Sequence, residues 1–185
     1  MIKNINWGNV EASTGDFARP TPGGYVIQII DAEDNAKKEY VAMRYDICSK
    51  GEFTDFYKKR FDASAGKYDY PKMFRSYKET ARGMFKGFLK ALEDSRNKIV
   101  ADKFNGDEQQ FVGMKVGVVL GEEEYIGNDG STKTRLYVAR VISAYDVVDG
   151  KFNVPEIKKL SASKQPATYT PFSNVDAVPD NELPF

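Results

Sequence analysis

The sequence predicts a mainly β domain with one helix, followed by an irregular acidic tail. Three observations carry this reading. Residues 39–48, EYVAMRYDIC, alternate, with Val41, Met43, Tyr45 and Ile47 on one face and Tyr40, Ala42, Arg44 and Asp46 on the other, the pattern of a half-buried strand. Two apolar runs, 114–125 and 132–146, are joined across Asn128-Asp129-Gly130, a strong hairpin-turn signal. Only residues 77–95 carry a sustained helical period: Tyr77, Ala81, Met84, Phe85, Phe88, Leu89 and Leu92 share one broad stripe.

Taken in order, the chain opens with a polar arm anchored by Trp7 and Phe17. Pro20, Pro22, Gly23 and Gly24 mark a loop, and residues 24–31, GYVIQIID, read as the first strand. DAEDNAKK is a polar hairpin loop leading into the alternating second strand. After a Lys-Gly turn, FTDFYKKRF over 53–61 reads as a third strand, and ASAGKYDYP as a loop. Pro71 suits the first turn of a helix, and Ser76 with Glu79 matches the S-x-x-E capping box. Gly83 and Gly87 each cost about 1 kcal/mol against alanine in a helix interior, which suggests close packing against a neighbour or a kink. MKVGVVLGEEEY is the fourth strand, where Gly117 and Gly121 suggest bulges or bends. TKTRLYVARVISAYD is the fifth, and VPEIKKL beyond it adds a short strand or helical turn. Residues 161–185 have prolines, little periodicity and few aliphatics, and are expected to be disordered.

The expected order is therefore β-β-β-α-β-β and a tail, with the helix between strands 3 and 4. That is the order of an OB-fold, a five-stranded Greek-key barrel. Residues 1–160 would form this domain with its arm, and 161–185 an interaction tail. Strand glycines suit a small barrel, whose strands bend to close. Other α+β sandwiches use the same string.

Composition narrows the function. The chain has no histidine and one cysteine, Cys48, which removes histidine bases, thiolate zinc clusters and internal disulfides. No nucleotide-loop, dinucleotide, zinc-protease or serine-hydrolase motif occurs. An enzyme is not expected, nor a cofactor or metal. The carboxylate cluster GEEEY could serve a metal-dependent nuclease through Glu122 and Glu124 only with further acids, and a solvated strand end is the simpler reading. Without a membrane-length apolar run or a signal-like N-terminus, a cytoplasmic location is expected.

Charge is zero overall but uneven. Residues 56–103 hold 13 basic and 6 acidic residues, while residues 161–185 hold 1 and 3. In FYKKRFDASAGKYDYPKMFRSYK, aromatics interleave with bases. Single-stranded nucleic acid requires this mixture, cations for phosphates and flat rings for unpaired bases. The candidate contacts are Tyr40, Arg44, Tyr57, Lys58, Lys59, Arg60, Tyr68, Tyr70, Lys72, Lys133, Arg135 and Arg140. At least one of Phe56, Tyr57 and Phe61 must be core, and Phe74, Phe85 and Phe88 are read as core. Arg44 and Arg140 are read as lying on an exposed sheet face rather than in buried ion pairs, and Lys133 and Arg135 flank the hairpin turn.

The chain ends DAVPDNELPF. This acidic ending with a terminal Pro-Phe resembles the tail of bacterial single-stranded DNA-binding proteins, and some phage single-stranded DNA-binding proteins also end on an acidic tail and an aromatic. MKVGVVLGEEEYIGNDGSTKTRLYVARVIS through VPEIKKL resembles proteins of phage replication modules in Gram-positive bacteria. The acids here are spread out, with Val178, Pro179 and Asn181 between them. The resemblance implies a barrel that coats single-stranded DNA in phage replication or recombination, in the host bacterial cytoplasm, and a tail that recruits partner proteins. Phe185 would enter an apolar pocket, Pro184 stiffen the approach, Leu183 stand for the usual isoleucine, and Asp176, Asp180 and Glu182 supply attraction. The alternative classes are a recombination mediator or protein-interaction module, and the nuclease. A homo-oligomer is compatible with the sequence, which fixes no interface and does not decide between DNA and RNA.

Overall fold

Alternation in the second strand organises the molecule. In a computed structural model that describes residues 18–160 and Gly8, β1 (Gly23–Asn35) pairs antiparallel with β2 (Tyr40–Ile47). Val41, Met43, Tyr45 and Ile47 are all buried, as their spacing predicts. β3 (Lys72–Ser76), β4 (Lys115–Ile126) and β5 (Thr132–Ile142) complete one antiparallel sheet of five strands in the order β3-β2-β1-β4-β5. β3 and β5 lie at opposite edges and are not paired with each other, so the sheet is open among the described residues.

The core lies on one face of this sheet. Ile27, Ile29, Met43, Val116, Val118 and Leu120 meet α2 (Arg82–Asp94) through Phe88, Leu89 and Leu92, with Phe111 between them. Phe88 and Phe111 pack edge-on with centroids 5.2 Å apart, and Phe104 stacks on Phe111 at 5.1 Å. Phe88 is core, as read, and Phe85 is half-buried beside it. Gly83 and Gly87 face open space instead of a neighbour.

The centre of the chain departs from expectation. The third strand expected over 53–61 is a helix, α1 (Phe56–Ala63). A short run of aromatics and cations satisfies either period, and tertiary contacts decide. Asp46 of β2 is buried beneath the helix start. Its Oδ1 accepts from the backbone N–H of Tyr57 at 3.0 Å, and its Oδ2 from that of Lys58 at 3.0 Å. These are two of the donors that a helix N-terminus leaves without partners. Asp55, at the N-cap position, makes no side-chain cap, so the carboxylate comes from another element. Tyr57 then packs its ring edge-on against Tyr45 at 5.9 Å.

The third strand is instead Lys72–Ser76, where a helix start at Pro71 was expected. Met73 is buried on the core side while Lys72 and Phe74 point outward. The Pro71 carbonyl accepts from Tyr45 N–H at 3.3 Å, so proline begins the strand at no cost to the ladder. The Ser76–Glu79 capping box does not form. Ser76 Oγ donates to the Glu39 carbonyl and accepts from Lys78 N–H, and a single 3₁₀ turn, Glu79–Ala81, leads into α2. β1 continues past Asp31 to Asn35, narrowing the first hairpin loop. β5 stops at Ile142, and α3 (Ala144–Val148) follows, capped by Ser143.

On the opposite face of the sheet, α3 and the segment after it cover β1 and β4. A Cβ at Gly117 would collide with the Ser143 carbonyl oxygen, and one at Gly24 with the Phe152 ring. The absent side chain at Gly117 thus admits α3; the register shift between β4 and β5 falls at Val119/Leu120 instead. Lys158 forms a single parallel bridge with Glu123, the only trace of regular structure in VPEIKKL. No helix among the described residues is long and apolar enough to cross a membrane.

Candidate nucleic-acid interface

Two surfaces carry the sequence candidates, and the fold treats them differently. The first is built on α1. A groove of about 740 Å³ is lined by Ala18, Arg19, Phe56, Lys59, Arg60, Ala63, Ser64, Lys67 and Tyr68. Four of these are cations and none is an acid. Arg60 lies over the Tyr68 ring at 4.3 Å, with Lys67 at 5.8 Å, a cation–π arrangement that holds ring and charge together. Lys59 Nζ donates to the Thr54 carbonyl at 2.9 Å. None of Arg19, Lys59, Arg60 and Lys67 forms an ion pair with a described carboxylate.

Beside the groove, the loop after α1 runs back to the sheet. Tyr70 packs on Phe61 at 5.5 Å. Asp69 reaches Arg44 of β2, and Arg44 stands opposite Lys72 of β3. One step along the same outer face, Ala42 stands opposite Phe74, and then Tyr40 opposite Ser76. Successive positions on one face of a strand are about 7 Å apart, close to the reach of one nucleotide. Phe74 is 53% exposed and meets Tyr40 edge-on at 5.5 Å. Asp69, next to Tyr68 in the chain, thus links the groove to the Arg44–Lys72 row, which adjoins the Tyr40–Phe74 pair on the outer face.

The sequence candidates divide accordingly. Lys59, Arg60 and Tyr68 line the groove; Lys72 and Tyr40 lie along the outer face. Tyr57 is partly buried against the core. Burial, chiefly, raises its phenol to about 12, so its ring serves packing. Lys58 faces solvent and is paired with Asp62 at 2.7 Å, one helical turn away. Phe74, read as core, is exposed, and the alternation Lys72-Met73-Phe74 was the signal for it. Arg19, outside the candidate set, has no sequence signal beyond its charge.

The second surface is the β4–β5 hairpin, and its cations are engaged. Lys133 pairs with Asp129 at 2.8 Å, and together with hydrogen bonds from Ser131 it holds that carboxyl down to about 2. Arg135 donates to Glu123 at 2.8 Å and lies over Tyr125 at 5.3 Å. Lys158 covers Tyr137 at 3.8 Å. Arg140 is exposed on β5 without an ion pair among the described residues. Glu124 accepts from Leu160 N–H, and among the described residues no group of His, Cys, Asp or Glu is placed to hold a metal ion. Asp176, Asp180, Glu182, Leu183, Pro184 and Phe185 lie outside the described residues. The chain matches no family model, and no curated protein matches it.

Proposed function

We propose that this chain is a non-catalytic single-stranded DNA-binding protein, with the α1 groove as its principal contact. The groove carries the reading: among the described residues it has four cations without carboxylate partners, two aromatic rings, and no acid in its lining. Such a surface attracts phosphates and offers stacking faces without reading base identity. A strand in it would continue past Arg44 and Lys72 to Tyr40 and Phe74. Phe74 stacks a base on its exposed face, and stacking contributes about 1–3 kcal/mol per base.

The sheet order supports an OB-like reading. β3-β2-β1-β4-β5 is the strand order of a five-stranded OB barrel opened between β3 and β5, and β2 and β3 are the strands such a barrel uses for nucleic acid. The acids Asp176, Asp180 and Glu182 beside Leu183-Pro184-Phe185 support recruitment of replication or recombination proteins through an aromatic anchor and charge attraction. Phage replication or recombination is the setting this combination fits.

Titration with labelled oligo-dT at two salt concentrations tests the function. The expected result is binding that weakens steeply with salt, with a log–log slope of about −0.7 per phosphate neutralised, and a preference for single strand over duplex. Absence of binding at low salt, or equal affinity for duplex, would reject it.

A further inference from the structure

Arg44 was expected to be a free cation on the sheet face, and the structure surrounds it with acids. A bulge in β1 between Ile29 and Asp31 pushes Ile30 outward and brings Asp31 opposite Arg44. Asp31 Oδ2 lies 3.7 Å from Nη1, and Asp69 Oδ2, from the loop after α1, lies 3.3 Å from Nη2. Neither contact has hydrogen-bond geometry. The guanidinium Nε is buried without an acceptor. One cation thus faces two carboxylates, held by charge alone, with a donor left unused.

This is a poor arrangement for a structural ion pair. A guanidinium used for stability is normally forked, with two parallel hydrogen bonds to one carboxylate. Loose, half-exposed pairs of this kind contribute little. The side chains of Arg44, Asp31 and Asp69 are 39%, 50% and 50% exposed, so an incoming anion can reach them. Asp69 also adjoins Tyr68, one of the two rings of the groove.

On the nucleic-acid reading above, we infer that Asp69 is a gate: it occupies Arg44 in the free protein, and a phosphate of the bound strand takes its place. Displacement gives Arg44 an acceptor and releases the Asp69 contact that ties the loop carrying Lys67 and Tyr68 to Arg44. The gate lowers affinity for weakly held anions, which cannot offset the lost pair, and favours a strand already anchored in the groove.

The test is a double-mutant cycle on the full chain with oligo-dT. Asp69→Asn keeps the shape of the side chain and removes its charge. Binding at low salt is expected to tighten about two- to fivefold, the scale of one exposed ion pair, with a salt slope steeper by up to ~0.7. In an Arg44→Gln background the same change is expected to have no effect. Weaker or unchanged binding by Asp69→Asn overturns the gate, because the contact then positions the loop or does nothing. Equal tightening with and without Arg44 overturns it too, by assigning the effect to the general field. Should neither the wild-type chain nor Asp69→Asn bind oligo-dT, the functional reading falls and the gate with it, an outcome distinct from the first two.

Discussion

The α1 groove and the β4–β5 hairpin have similar compositions and different electrostatics. Both set aromatic rings beside lysines and arginines. In the hairpin, each turn-proximal cation faces an acid across or along the ribbon: Lys133 with Asp129, Arg135 with Glu123. Its rings are covered too, Tyr125 by Arg135 and Tyr137 by Lys158. In the groove, Arg19, Lys59, Arg60 and Lys67 converge from two separate parts of the chain and meet no carboxylate among the described residues. An aromatic-basic run thus marks a binding surface only where the fold leaves its charges unneutralised, and only the partners reveal that.

The sharpest way to break the contrast is to remove the groove alone. Asp46→Ala takes away the acceptor for the Tyr57 and Lys58 N–H groups. Buried donors without acceptors cost about 1–3 kcal/mol each, and an eight-residue helix is too short to persist unaided. Loss of α1 by circular dichroism and at least a tenfold fall in oligo-dT affinity are expected, with the hairpin unaffected. Retained affinity would move the binding site elsewhere.

A milder comparison neutralises charges on each surface. Arg60→Ala with Lys67→Ala is expected to weaken oligo-dT binding about tenfold at low salt and to reduce the salt slope by about 1.4, two phosphates' worth. Lys133→Ala with Arg135→Ala should change affinity less than about twofold, since these cations already have partners. Equal losses in the two double variants would erase the distinction.

The smallest expected effect is a pH response confined to the α1 side. The Tyr57 phenol is raised to about 12 by burial, so its stabilising contribution is complete below about pH 10, the ordinary phenol value, and is lost as pH rises towards 12. Tyr45, packed against it, is raised as well, by its own burial first and then by Tyr57. Hydrogen exchange should accordingly report opening of α1 across that window before the hairpin. Simultaneous opening of both would show that the two regions unfold as one unit.

Much of the sheet was legible because period-two alternation is a property of the chain itself. Tyr40–Ile47 and the Asn128-Asp129-Gly130 hairpin follow from local pattern. The central stretch was not, because its conformation depends on distant groups. Asp46 sits on the nominally polar face of β2, yet it is buried because α1 needs an acceptor there, and nothing near residue 56 indicates this. Phe74 was misassigned because a helix beginning at Pro71 hides the alternation of Met73 with its neighbours. Within the candidate interface, Lys59, Arg60 and Tyr68 were legible from composition. Arg19 was not, since it reaches the groove only through tertiary placement, and the state of Arg44 depends on a bulge in another strand.

The fit of Phe152 over Gly24 has a consequence for how the domain is made. The ring that covers the first strand is separated from it by nearly the whole domain in sequence. Such a long-range contact is slow to form, because a large loop must close before it contributes. A chain emerging from the ribosome therefore has β1 and β2 available for a hairpin while the outer surface of β1 stays bare until residue 152 has followed. During that interval it is the bare face of β1, and not its edge, which β4 has already paired, that other copies can reach. The C-terminal segment of the domain thus also acts as the last seal on its oldest strand.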